Sequence, residues 1–365
     1  MEPTFGYVFP AIRGVQAGRE FYVSMCPLRL LNKIFSYDEE EVRPEMRAQR
    51  TLNRARIPEM SRYITENRKG YVFSAITASI DGDFSFEPLG TKAEARKLGS
   101  LHVSMDARFL INDGQHRRAA IKQALDDTPE LGDETIAVVF FLDRGLKRSQ
   151  QMFADLNRHA VRPSKSLGVL FDHRDDLAQI VRHAILESEF FRDIVEMERS
   201  SLSKGSRKLL TLSSIYSGTG ALLEHWSEKD PRIISNIVRE FWEAVAKNIP
   251  EWGMVQKREI ASCGVREDYI HSYGTVIHAL GRVGGALLLE HPKAWKRPLG
   301  CIKTLDWSRT NHSLWEGRAT VGGHVQKSRN NVTLTVNAIK NHIGLPLNPE
   351  EQRVEDAFMG GKQSG

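Results

Sequence analysis

Cysteine is scarce in this chain: three in 365 residues, Cys26, Cys263 and Cys301, each far from the next. Such spacing provides neither a disulfide framework nor a cysteine metal site, and it suits a reducing compartment, so a cytoplasmic location is expected. Long apolar runs are also missing. Nothing approaches the ~20 residues that a membrane-spanning helix needs, so no membrane association is expected. The opening Met1-Glu2-Pro3-Thr4-Phe5 lacks the basic and apolar regions of a secretory signal. Internal repeats and low-complexity tracts are absent as well. At 41% hydrophobic and 27% charged the composition is that of globular material, and the length predicts two domains rather than one core.

The net charge of +5 is modest but unevenly placed. Residues 43–69 hold eight Lys/Arg against three Glu, and residues 293–329 hold eight against Asp306 and Glu316. Each segment alone carries at least the positive charge of the whole chain, the pattern of a protein that meets a polyanion. Arg43, Arg47, Arg50 and Arg54 follow one another at helical spacing after Pro44, which predicts one basic helix face. That face could track a phosphate backbone or pair with Glu39, Glu40 and Glu41; the spacing does not decide. In the second segment Arg309, Arg318, Lys327 and Arg329 lie among Trp and Asn side chains, a mixture able to contact phosphates, sugars and bases.

The most informative stretch is Arg108-Phe109-Leu110-Ile111-Asn112-Asp113-Gly114-Gln115-His116-Arg117-Arg118. A short apolar strand turns at Asn112-Asp113-Gly114 and continues as a helix, with Asp113 as the expected N-cap. Gly114 leaves the backbone open to close approach, and Gln115, His116 and Arg117 crowd the positive end of the helix dipole. A strand that runs into such a turn makes an anion site, usually for phosphate.

Asp113-Gly114-Gln115-His116-Arg117 resembles the signature of the DGQHR-domain proteins, and the wider chain resembles the DndB family of bacterial DNA phosphorothioation (sulfur modification) systems. Residues 156–167, residues 171–174 and Trp315-Glu316-Gly317-Arg318-Ala319 support that resemblance, which covers nearly the whole chain. At one remove the pentapeptide is similar to the ParB/sulfiredoxin superfamily, whose corresponding turn holds nucleotide phosphates. Gln115 stands where sulfiredoxin has its catalytic Cys, so repair of a sulfinate through a thiol is excluded. Gln115 also replaces the acidic residue that assists metal and nucleotide binding in ParB. The resemblance implies a ParB/sulfiredoxin-like α/β domain, repression of a modification operon, and a segment that accompanies the DGQHR turn. Asn157, Arg162 and Lys165 in that segment become candidates to close over the same ligand.

Patterning along the rest of the chain predicts strands at 7–9, 19–25, 71–80, 101–105 and 135–142. The first domain is expected over residues 1–170 and a mainly helical second one over 171–365. Helices are expected over 147–157, 175–187, 209–226, 231–248 and 269–289, and over 332–342 with Asn331 as cap; Ser164 caps another. Residues 200–208 and 263–266 read as loops. Gly281, Gly284 and Gly285 mark close helix packing. His271 and His278 fall seven apart on one helix without a third ligand, so no metal site is assigned.

The resemblance implies DNA-binding regulation of sulfur modification, with double-stranded DNA and other modification proteins as partners, and the basic segments fit the DNA. The DGQHR turn would hold a phosphate or a nucleotide such as ATP with Mg²⁺. The competing class is an enzyme, an NTPase or DNA-nicking phosphodiesterase, in which Asp113 would be the catalytic carboxylate.

Overall fold

A computed structural model describes residues 6–35, 52–142, 151–152, 154–156, 163–228 and 230–363. The chain divides into two compact units, residues 1–161 and 162–365. The fold class is α/β, with a helical C-terminal part.

The first unit contains β1 (Gly6–Gln16), β2 (Arg19–Pro27), α1 (Leu28–Ile34), α2 (Ile57–Glu66), β3 (Ile76–Asp81), β4 (Phe84–Pro88), β5 (Leu98–Ser104), β6 (Arg108–Asp113), α3 (Gln115–Asp127) and β7 (Thr135–Leu142). Its seven strands lie in the order β4-β5-β1-β2-β7-β3-β6. Neighbours are antiparallel except β3 and β7, so β6 is an edge strand that runs opposite to β7. Period-two alternation decides which face is covered. Phe9, Tyr22, Leu101, Phe109, Val138 and Phe140 point to one side and pack with Leu31 of α1, Ile64 of α2 and Ile121 and Ala124 of α3. Val8, Ile12 and Met25 remain exposed on the other. The strand expected over 71–80 begins only at Ile76, because residues 71–75 join no ladder.

The second unit contains α4 (Lys165–Phe171), α5 (Asp176–Leu186), α6 (Glu189–Ile194), α7 (Leu212–Leu223), α8 (Pro231–Lys247), α9 (Pro250–Gln256), α10 (Ser262–Asp268), α11 (Gly274–Glu290), α12 (Arg329–Ile343) and α13 (Pro349–Gln363), with short turns and two-residue strands between them. Its centre is the crossing of α7 and α11. There a Cβ on Gly281 would fall 1.9 Å from the Gly218 carbonyl oxygen, and one on Gly284 would fall 2.4 Å from Phe241. The glycines expected to mark close packing do so. Trp242 is fully buried beside them and donates its Nε1–H to Thr219 Oγ1 at 2.9 Å.

Three local expectations change here. Residues 263–266 are helical, within α10, rather than a loop. Ser328, not Asn331, caps α12, by accepting from the Asn331 amide at 3.2 Å. His271 lies ahead of α11 and not on it. It is fully buried, accepts from Trp252 Nε1 at 3.0 Å, and burial holds its pKa below the usual histidine value. His278 meets Ser217 instead. Among the described residues, no group of three or more His, Cys, Asp or Glu side chains is placed to hold a metal ion, and no helix is long and apolar enough to cross a membrane.

Candidate functional site

The DGQHR turn sits where edge strand β6 gives way to α3. Asn112 is buried and accepts from Ser79 Oγ at 2.9 Å, which anchors the end of β6 to β3. A register shift between Thr77 and Ala78 leaves Thr77 opposite Asp113. Such irregularities bend a strand and redirect the residues next to them.

Gly114, not Asp113, occupies the cap position of α3, with φ 115° and ψ 11°, and no side chain caps the helix. The expectation of an Asp113 cap is therefore corrected. The left-handed step at Gly114 carries the chain past the geometry in which the carboxylate could reach back to the first-turn amides. Asp113 instead accepts from Arg117 Nη2 at 2.6 Å, across one turn of helix. The uncapped N-terminus keeps the positive end of the α3 dipole available to an anion.

The side chains of the motif are tied into the fold to different degrees. Gln115, expected among the ligand-binding groups, turns inward: it is 8% exposed and donates Nε2–H to the carbonyls of Ile111 at 2.9 Å and Asn112 at 3.4 Å. It braces the turn, and its side chain is not presented outward. Arg117 donates to Ser74 Oγ as well as to Asp113, and only 13% of its side chain is exposed. Arg118 is buried and donates to the Phe35 carbonyl at 2.6 Å. His116 is half-buried, and its Nε2 accepts the Asn53 backbone N–H at 3.0 Å, a bond that requires an unprotonated Nε2. Through that bond the turn holds the short 3₁₀ segment Arg54–Arg56, capped by Asn53 Oδ1, which accepts from Ala55 N at 3.2 Å.

That segment bears on the basic stripe. Arg43, Arg47 and Arg50 lie outside the described residues. Arg54 is exposed, but it belongs to a 3₁₀ turn and not to a continuous helix. Asn157 and Arg162 also lie outside the described residues. Lys165 belongs to the second unit, at the first position of α4, which Ser164 caps by accepting from Leu167 N at 3.1 Å.

The C-terminal candidates separate into internal and external groups. Arg318 is 8% exposed, donates through both Nη atoms to Glu355 and lies 4.5 Å over the Phe358 ring. It fastens α13 to the unit and is corrected from a DNA contact to an internal ion pair. Arg309 is half-buried, donating to the Arg266 carbonyl at 3.0 Å and to Tyr273 Oη. Its guanidinium is likewise engaged within the fold. Arg329 is exposed and pairs with Glu350 at 3.0 Å, and Lys327 is exposed with no ion pair or hydrogen bond among the described residues. The surrounding Trp315-Glu316-Gly317 is structural: Trp315 is fully buried and stacks on Trp307 at 5.5 Å.

Sequence reasoning missed Ser74, Ser79 and Asn53, which hold Arg117, Asn112 and His116. None belongs to the motif, and only the pairing of β3 with β6 and the approach of residue 53 bring them there.

A family model described as DndB, DNA-sulfur modification-associated, matches residues 9–346 of the chain. No curated protein and no solved structure matches it.

Proposed function

The chain belongs to the DndB family of DNA-sulfur modification-associated proteins, and on that premise we propose that it is a DNA-binding regulator of phosphorothioate modification. In this role it represses transcription of the modification operon, and its DGQHR turn takes a phosphate or a nucleotide such as ATP. Double-stranded DNA is the principal partner, and other sulfur-modification proteins are associates. One observation carries the proposal: the uncapped α3 N-terminus behind a left-handed Gly114, with Arg117 and His116 fixed beside it. Backbone amides and a helix dipole with neighbouring cations suit an anion and demand no particular acid–base chemistry. The exposed Arg54, joined to the turn through Asn53 and His116, adds positive charge near it.

The test is binding of the purified protein to duplex DNA from upstream of its own operon, over a range of salt, with and without nucleotides. The logarithm of affinity should fall with the logarithm of salt, with a slope of about 0.9 for each phosphate neutralised. Arg50→Gln with Arg54→Gln should flatten that slope. Failure to form any complex at low salt defeats the proposal.

Asp113→Asn separates a regulator from an enzyme. The Asp113–Arg117 pair is half exposed on the carboxylate side, so losing its charge should cost less than about 1 kcal/mol of stability. DNA binding should survive. Mg²⁺-dependent hydrolysis or nicking by the native protein, reduced ~10²–10⁴-fold in this variant, would make the protein an enzyme with Asp113 as its acid–base group.

A further inference from the structure

The second unit holds a cavity of about 930 Å³ whose described walls include no residue of the DGQHR turn. Its walls come from the start of α4, the segment at residues 200–204, the N-termini of α7 and α11, and Lys327. Most of its polar groups are already engaged. Ser213 N donates to Ser166 Oγ, and Ser214 N donates to Thr211 Oγ1, each at 3.2 Å, so the N-terminus of α7 is closed by its own neighbours. Arg266 donates to the carbonyls of Ser203, Lys204, Ser206 and Lys208 and so shapes the wall. Thr275 Oγ1 donates to the Gln326 carbonyl at 2.8 Å, and Tyr273 Oη to the Arg266 carbonyl at 2.9 Å.

The unsatisfied groups point one way. No side chain caps α11, a helix of 17 residues whose first turn lines the cavity. Two residues before it, ahead of the cap residue Tyr273, Ser272 is only 8% exposed, and its buried Oγ has no hydrogen-bond partner among the described residues. A buried hydroxyl without a partner is costly, and its presence in a cavity wall marks a place for a ligand acceptor. Lys165, Lys204 and Lys327 reach the same cavity, and none forms an ion pair or hydrogen bond through its side chain among the described residues. Glu267 is the one acid in the lining among the described residues.

We propose that this cavity binds a phosphate group, held by Ser272 Oγ and the α11 N-terminus and neutralised by Lys165, Lys204 and Lys327. Three lysines against one glutamate favour a ligand with more than one negative charge over a simple carboxylate. The volume admits a nucleotide, and Leu202, Val332 and Tyr273 offer apolar wall to its base or sugar. The phosphate could come from a free nucleotide or from a DNA strand. The described walls of this site all belong to the helical unit.

Cys263 lines the cavity at intermediate exposure, whereas Cys301 is exposed elsewhere, so the two thiols provide a local probe and its reference. The full-length protein is alkylated with iodoacetamide in the presence of inorganic phosphate, ATP or a DNA duplex, and labelling at each cysteine is followed by mass spectrometry. At least one probe should slow alkylation of Cys263 fivefold or more and leave Cys301 unchanged. Protection by ATP without protection by the duplex identifies a free nucleotide; the reverse identifies backbone phosphate. Protection should vanish in Lys165→Gln/Lys204→Gln/Lys327→Gln, whose substitutions are all at exposed positions, and weaken in Ser272→Ala. If no probe protects Cys263, or protection persists unchanged in the triple variant, the proposal is overturned. Neither result depends on whether the DGQHR turn binds anything.

Discussion

Arg318→Ala should lower the free energy of unfolding by about 3–5 kcal/mol, because it strands a buried carboxylate. The two partners are each about 10% exposed on their side chains and meet through two parallel contacts. Asn337 Nδ2 also donates to Glu355 at 3.0 Å, so the carboxylate is embedded in a network. Lys340 and Arg282 meet Glu351 one turn earlier on α13, at 2.7 and 3.3 Å. Removing either charge of the Arg318–Glu355 pair leaves the other buried without its opposite charge, whereas removing both relieves that penalty. Glu355→Ala should therefore be about as harmful as Arg318→Ala, and the double variant clearly less harmful than the sum of the two. Urea unfolding of the four proteins measures this directly. A loss below about 1 kcal/mol, with a flattened salt slope for DNA binding, would return Arg318 to the surface and to the phosphates.

The second large effect is expected at Gly114. Its φ of 115° lies outside the range that side chains adopt readily, and a Cβ would meet Ile76 Cγ1 at 3.0 Å and Arg117 Nη2 at 3.2 Å. Strain of that kind costs on the order of 1–3 kcal/mol by itself. Gly344 provides the control. It also has a positive φ, 76°, but nothing lies within 4 Å of where its Cβ would be. Gly344→Ala should therefore report strain alone, and Gly114→Ala strain with displacement of Arg117. In Gly114→Ala the affinity for phosphate or nucleotide should fall at least tenfold, while Gly344→Ala binds as the native protein does. Equal binding by all three proteins would mean that the turn is not the anion site.

Much of the first unit is legible in the residues themselves. β7 occupies residues 135–142 as its apolar run predicts, and β6 gives way to α3 at Asp113-Gly114 as expected. In the second unit, Ser164 caps α4 as expected. Local signals succeed here because a run of β-branched residues, a glycine at a turn or a hydroxyl before a helix acts within a few positions of itself. The Asp113 cap failed for a local reason of another kind. The left-handed step at Gly114 moves the cap one residue on, and the Asp113 carboxylate pairs with Arg117 four residues later.

Basic residues were the hardest to assign, since an arginine at a phosphate and an arginine in an ion pair have the same spelling. Arg318 finds Glu355 thirty-seven positions away, and Arg117 finds Ser74 forty-three positions away. Lys165 belongs to the helical unit with Lys204 and Lys327, far from it in sequence, around one cavity. What the sequence alone determined was the α/β class, the DGQHR turn at a strand end, the close glycine packing of two helices and the DndB family. Which cations are used up inside and which are left exposed was decided only by the tertiary structure, because a charge's surroundings depend on burial and on partners that packing brings from distant parts of the chain.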